Sequence, residues 1–306
     1  MAALCEGRVC IVTGAGGGIG REHALLLAAH GANVVVNDIG GAVDGTGASE
    51  GPANSVVHEI VAAGGTAVAN ADDVSSWDGA ERLVQQAIDE FVQLDVLVNN
   101  AGILRDRMLV NMTDDEWDAV IKVHLRGTFG PTRWSAAYWR EQAKGGEAND
   151  ARIINTSSPS GIYGNPGQTN YGAAKGGIAS FTIIAAMELA RYGVTVNAIA
   201  PVALTRMTAG LGGATQLPER KPDEFDAMAP ENISPLVVWL GSPGSKDVTG
   251  RVFNVGGGRI SVAESWVAGP GVDKGDRWSP AELDDVVPKL VAEAAGPSNM
   301  AGQRQS

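Results

Sequence analysis

Apolar positions along the chain of 306 residues alternate between two patterns. Short, nearly continuous runs occur at Val9–Val12, Val34–Asn37, Thr66–Ala69, Val96–Val98, Arg152–Thr156, Val194–Ile199 and Val252–Val255. Runs this short, rich in β-branched residues and with little polar alternation, predict strands covered on both faces. Between them lie longer stretches with apolar residues at helical spacing: Ile19–His30, Pro52–Ala63, Trp77–Val92, Thr113–Leu125 and Thr169–Tyr192. The fourth opens with Thr113-Asp114-Asp115-Glu116. That order predicts a capping box, in which Thr113 and Glu116 satisfy free N–H groups at the helix start. Strands alternating with helices predict an α/β fold: one doubly wound parallel sheet of about seven strands, with helices on both faces.

Two segments depart from this rhythm. Gly40–Gly51 is rich in glycine, and Val43 is its only large apolar residue, so it is expected to be a surface loop. After Gly258 the chain carries Trp266, Trp278 and a helical Pro280–Ala295 interrupted by Pro288. Gly296–Ser306 has no periodic pattern and is expected to be disordered. The expected organisation is a single domain over residues 1–258. Residues 259–306 form an extension, read as a lid or a dimer contact.

Composition narrows the function. With 44% hydrophobic residues and 19% charged, the chain can bury a large core. A net charge of −12 without a basic stretch argues against a nucleic-acid partner, because phosphate contacts need clustered Lys and Arg. The two cysteines, Cys5 and Cys10, cannot form a disulfide framework; two buried thiols in a reducing compartment are expected. The N-terminal apolar stretch is too short for a signal peptide, and no uninterrupted 18-residue apolar run stands out. The expectation is no membrane span and a cytoplasmic location. The 41 glycines follow no period, which excludes collagen-like and repeat architectures.

The candidate chemistry begins at Thr13-Gly14-Ala15-Gly16-Gly17-Gly18-Ile19-Gly20, between the first strand and the first helix. At such a turn Gly14, Gly16, Gly18, Ile19 and Gly20 can bring bare backbone and a helix N-terminus to a pyrophosphate. Asp38 ends the second predicted strand, 18 residues after Gly20. A carboxylate there accepts hydrogen bonds from an adenosine ribose and repels a 2′-phosphate, which favours NAD over NADP. Tyr171 and Lys175 stand four residues apart on one helix face. A free tyrosine titrates near about 10, so it serves as a base only when a cation, here Lys175, stabilises the phenolate. Ser158 follows the strand Arg152–Thr156, at the carboxyl edge where open sheets place ligands.

These motifs together resemble the short-chain dehydrogenase/reductase family. The residues that carry the resemblance are the Thr13–Gly20 turn, Asp73-Val74, Asn99-Asn100-Ala101-Gly102, Ser158, Tyr171-Gly172-Ala173-Ala174-Lys175 and Asn197-Ala198-Ile199-Ala200-Pro201. They run in family order over roughly Gly7 to Gly258. The resemblance implies a Rossmann-type fold and a catalytic set of Ser158, Tyr171 and Lys175. Ser158 would polarise the substrate oxygen, Tyr171 would be the general acid/base, and Lys175 would hold the nicotinamide ribose. Asp73 and Val74 would lie at the adenine. Asn99, Ala101, Gly102, Pro201 and Val202 would line the cofactor site, with Thr205 near the carboxamide. Two positions depart from the family pattern: Val123-His124-Leu125, where asparagine is common at the centre, and Val202, where glycine is usual after the proline. His124 can be read as part of a proton relay or as a packing residue.

A narrower likeness is to the (3R)-hydroxyacyl-CoA dehydrogenase part of peroxisomal multifunctional enzymes. It rests on Asn37-Asp38-Ile39-Gly40-Gly41, Ile103-Leu104-Arg105-Asp106-Arg107, Val123-His124-Leu125-Arg126-Gly127 and Ser160-Gly161-Ile162-Tyr163-Gly164-Asn165. It implies an acyl-CoA or steroid substrate in fatty-acid or steroid side-chain breakdown. It also implies a homo-oligomer, dimer or tetramer, with faces on Thr113–Lys144 and Thr169–Tyr192. Arg105 and Arg107 could serve CoA or a salt-bridged surface. Met207, Leu211 and Leu217 suggest an apolar lid after Pro201. The competing readings are a dehydrogenase of free 17β-hydroxysteroids and a nucleotide-sensing regulator without turnover.

Overall fold

The computed structural model describes residues 3–47, 51–205 and 224–304. Eight strands form one sheet in the order β3-β2-β1-β4-β5-β6-β7-β8. They are β1 Val9–Thr13, β2 Asn33–Asn37, β3 Thr66–Asn70, β4 Val96–Asn99, β5 Ala151–Thr156, β6 Val194–Pro201, β7 Val252–Gly256 and β8 Arg259–Ala263. β1 through β7 pair in parallel. The eighth strand is antiparallel to β7, in register from Val252↔Ala263 to Gly256↔Arg259. It is an element that the sequence pattern left in the C-terminal extension. Arg259-Ile260-Ser261-Val262-Ala263 has no continuous apolar run, because it is an edge strand whose Ile260 and Val262 are exposed.

The helices are α1 Gly18–Ala29, α2 Gly51–Ala62, α3 Trp77–Phe91, α4 Asp114–Ile121, α5 Gly127–Lys144, α6 Pro159–Tyr163, α7 Thr169–Leu189, α8 Ser234–Gly241 and α9 Leu283–Glu293. The inner strands show why their sequences are apolar throughout. Cys10 and Val12 of β1, with Val34, Val36, Val96 and Val98, pack into a core beneath α1, α2 and α8. Val9 and Ile11, with Val35, Leu97, Ile153 and Val196, pack into a second core beneath α3, α5 and α7. Side chains alternate across a strand, so both parities must be apolar when both faces are covered. Cys5 and Cys10 are buried and free.

The helix expected over Thr113–Leu125 ends earlier. α4 stops at Ile121, and a π-helical turn over Lys122–Arg126 leads into α5. The capping box is present: Glu116 N donates to Thr113 Oγ1 at 3.2 Å and Thr113 N to Glu116 Oε2 at 2.9 Å. α7, with its 3₁₀ continuation to Tyr192, is apolar and long enough to cross a membrane by length and composition. It packs instead along β6 and buries Lys175, Ile178 and Thr182, as a core helix does. The C-terminal residues expected to lack order form a turn, bridged between Ser298 and Arg304. Met207, Leu211 and Leu217 lie outside the described residues.

β2 lies on one side of β1 and β4 on the other, so the chain reverses its winding between β1 and β4. Such a switch point opens a crevice at the carboxyl ends of the strands, where doubly wound sheets take their ligands.

Candidate active site

A cleft of about 520 Å³ opens at that edge. Its lining runs from the Gly14–Gly20 turn and Asp38, past Asp73, Val74, Ala101 and Gly102, to Ser158, Tyr171, Lys175, Pro201, Val202 and Thr205. Residues more than 150 positions apart in sequence therefore share one wall.

The glycine turn is shaped by close approach. Gly14 has φ +62°, and a Cβ there would stand 2.7 Å from Ala101 Cα, so side chains are excluded. Thr13 Oγ1 accepts from the backbone N–H groups of Asn100 and Ala101 at 2.9 and 3.0 Å, which ties the end of β1 to the end of β4. The N-cap of α1 is Gly17, which offers no side-chain acceptor to the first N–H groups of the helix. Those groups face a cleft lined by Gly17, Gly18, Ile19 and Gly20, as an anionic pyrophosphate requires. Asp38 accepts from Gly16 N at 2.8 Å and Gly40 N at 2.6 Å, so its carboxylate is held at the cleft edge with lone pairs to spare. Gly40–Gly45 does not leave the fold as a free loop: Gly40, Gly41, Ala42, Val43 and Gly45 line the cleft, and Leu104 N donates to Val43 O at 3.1 Å. The residues present fit a nicotinamide dinucleotide.

Two expected cofactor residues, Gly16 and Asn99, are not among those that line the cleft. Gly16 spends its N–H on Asp38. Asn99 is buried, and its amide donates to Thr132 Oγ1 and Asn155 Oδ1, both at 2.9 Å. Its side chain points into the helix layer, so it braces β4 against β5 and α5. Asp73 lines the cleft, but Oδ1 accepts from Ser75 N and Ser75 Oγ.

At the other end, Ser158 caps α6 and accepts from Ser160 N at 3.2 Å, leaving its proton to donate. Burial pushes the Tyr171 hydroxyl up to about 12; the neighbouring Ser158 hydroxyl pulls it down and the Asp106 charge adds to the rise. Lys175 Nζ donates to Thr156 O at 2.6 Å and stands 5.6 Å from the Tyr171 ring. Burial brings its ammonium down to about 7. The protein alone therefore does not depress Tyr171, as the pairing with Lys175 had suggested; desolvation dominates.

His124 sits on the π-helical turn, buried, with its ring 5.1 Å from that of Tyr171 in edge-to-face contact. Nε2 lies 2.7 Å from Ile103 O and 3.1 Å from Ile103 N, while Nδ1 has no partner among the described residues. Burial, helped by Lys175, lowers it to about 3, so it is a neutral imidazole. A Cβ at Gly102 would overlap this ring, which explains the glycine. Arg107 is bound to Glu116 at 2.7 Å, and Arg105 Nε donates to Asp44 O at 2.9 Å. The salt-bridged reading holds for Arg107. Sequence reasoning missed Gln168, Met228 and Met300, which also line the cleft. Only three-dimensional folding brings them there, and none stands in a recognisable spacing.

A phenol, a hydroxyl and an ammonium on one wall can move a proton to or from a ligand oxygen beside a dinucleotide cradle. Comparison with known proteins agrees in kind. The profile described as short chain dehydrogenase matches residues 8–216. The chain is 46% identical over 289 residues to the hydroxyacyl-CoA dehydrogenase ChsB1 of Mycobacterium tuberculosis, covering 91% of this chain and 86% of that protein. It is 47% identical over 255 residues to peroxisomal multifunctional enzyme type 2 of Mus musculus, covering 83% of this chain but 32% of that one. A crystal structure of a short chain dehydrogenase from Mycobacterium avium superimposes with a TM-score of 0.86 at 58% identity, over 96% of this chain and 98% of that one. With the sheet order, the glycine turn and the proton-handling wall in agreement, the chain belongs to the short-chain dehydrogenase family, oxidoreductases that act on CH–OH groups with a nicotinamide cofactor.

Proposed function

We propose that this protein interconverts (3R)-3-hydroxyacyl-CoA and 3-oxoacyl-CoA with NAD. The observation that carries the reading is the convergence of Ser158, Tyr171 and Lys175 on the cleft of a chain so similar to a hydroxyacyl-CoA dehydrogenase. NAD is preferred because Asp38 stands where a 2′-phosphate would need a cation. Among the described cleft residues the only basic side chains are Lys175 and His124, both at the other end.

Gly14, Gly18, Ile19 and Gly20 would hold the pyrophosphate, Asp38 the adenosine ribose, and Val74, Ala101 and Thr205 the remaining walls. When bound in its oxidised form, the nicotinamide accepts a hydride and adds positive charge beside Tyr171. Ser158 Oγ donates a hydrogen bond to the reacting oxygen. Tyr171 Oη takes the proton of the alcohol during oxidation and returns it during reduction. Lys175, with one N–H on Thr156 O, keeps two for the ribose and for relaying the proton. In its free state Tyr171 is a poor base, so proton transfer depends on the charge gained with the cofactor. The exposed Phe129, Ile184 and Met187 on α5 and α7 support a homo-oligomer through those helices.

The test is NADH formation with a (3R)-3-hydroxyacyl-CoA, its (3S) epimer and a free 17β-hydroxysteroid in parallel, repeated with NADP. Turnover of the (3R) thioester with NAD, at least about tenfold above the other substrates and above NADP, is the expected result. Turnover confined to the steroid would replace the substrate, and preference for NADP would overturn the role of Asp38.

A further inference from the structure

We infer that the C-terminal turn Ser298–Arg304 is a substrate-selecting part of the cleft, with Met300 as its contact residue for the apolar portion of the substrate. The inference rests on the proposed dehydrogenase reading. The turn is built, not frayed. Asn299 N donates to Gln303 O and Gly302 N to Asn299 O, both at 2.8 Å, and Asn299 Oδ1 accepts from Ala301 N and Gln303 N, both at 3.0 Å. It is seated on Tyr163. Gly302, at φ +73°, passes so close that a Cβ would stand 2.7 Å from Tyr163 Oη. Tyr163 is itself fixed by Asn254 Nδ2 of β7 at 2.9 Å, and it ends the helix that begins one residue after Ser158.

This seat places Met300 in the lining of the cleft that contains Ser158 and Tyr171. Met300 remains 40% exposed, so it is not there to complete the core. Between β8 and the turn, residues 264–297 are almost all exposed, so little else in the extension accounts for the return of the chain to this edge. A flexible thioether at the rim of a cleft suits apolar ligands of varied shape. Val202, Leu204 and Met228 line the same cleft and extend that apolar character.

The experiment compares kcat/KM for 3-hydroxybutanoyl-CoA and 3-hydroxyhexadecanoyl-CoA in the wild type, Met300→Trp, Met300→Ala and Gly302→Val, with NADH affinity by fluorescence as the control for folding. Met300→Trp is expected to lower the long-to-short ratio about tenfold by filling the path. Met300→Ala and Gly302→Val, which remove or unseat the contact, are expected to raise KM for the long thioester about threefold and leave the short one unchanged. NADH affinity should stay at the wild-type value. A ratio within about twofold of wild type in Met300→Trp, or KM values that move together for both substrates, overturns the inference. If the wild type turns over neither thioester, the proposed substrate fails on its own. The same ratio is then read between a short secondary alcohol and a hydroxysteroid, with the same criteria.

Discussion

At the scale of single residues, the site is governed by what burial costs. Tyr171 and Lys175 are the pair that a sequence reader pairs first, since four residues on a helix put them on one face. In the folded chain, burial moves each away from its charged form: the phenol up to about 12, the ammonium down to about 7. Neither shift is an obstacle to the proposed reaction. In the proposed reaction they would make proton transfer depend on the positive charge that the oxidised cofactor brings. Removing the hydroxyl should then abolish chemistry without touching the cradle, since Gly14 and Asp38 lie at the far end of the cleft. Tyr171→Phe is expected to lose about 10²–10⁴ in kcat while NADH still binds, checked by steady-state turnover beside a fluorescence titration. Wild-type turnover in that variant would remove Tyr171 from its assigned role.

At the scale of elements, agreement and surprise have separate physical causes. The inner parallel strands were legible because double coverage demands apolar residues on both faces, as in Val9-Cys10-Ile11-Val12. β8 was not legible, because an edge strand packed on one side has no such demand. α8, Ser234-Pro235-Leu236-Val237-Val238-Trp239-Leu240-Gly241, is a short unbroken apolar run whose pattern fits strand and buried helix equally well. The π-helical turn at Lys122–Arg126 left no mark in periodicity, yet it sets His124 against Tyr171. The site was legible where motifs are local, at the glycine turn, Asp38 and Tyr171–Lys175. It was not where long-range packing decides, as at Asn99, which faces inward, and Met300, which arrives from the far end of the chain. The capping box belongs to the legible class and gives a clean test. Thr113→Ala removes the acceptor for Glu116 N while leaving the exposed surface otherwise intact. The expected loss is about 1 kcal/mol of stability, read as a lower urea midpoint with an unchanged slope. An unchanged midpoint would mean that α4 is held by its packing on α7 alone.

For the whole molecule, two buried histidines tie stability to pH. His23 lies on α1 with Nδ1 2.8 Å from Ser234 Oγ of α8, and its Nε2 has no partner among the described residues. His124 lies across the sheet on the layer of α5 and α7. Burial lowers both to about 3 from their ordinary 6.5, so neither accepts a proton in the folded state at mildly acid pH. The unfolded chain accepts both below about 6.5, and whichever state binds more protons gains as pH falls. The histidines' contribution to stability is therefore complete above about 6.5 and is lost progressively as pH falls toward 3. Asp106, whose carboxyl burial raises, works against this trend at the acid end. Two such groups should cost about 2–3 kcal/mol between pH 7.5 and 5.5. Lys175 extends the slope upward, since its ammonium, lowered to about 7, is deprotonated in the folded chain before it is in the unfolded one. The measurement is the denaturant midpoint across pH 5.5 to 8.5 for the wild type and His23→Gln. The wild type should grow more stable throughout, and the variant should show about half the slope below pH 6.5. A flat profile between pH 5.5 and 6.5 would show that the histidines take up protons without unfolding the chain, and that these interiors are open to water.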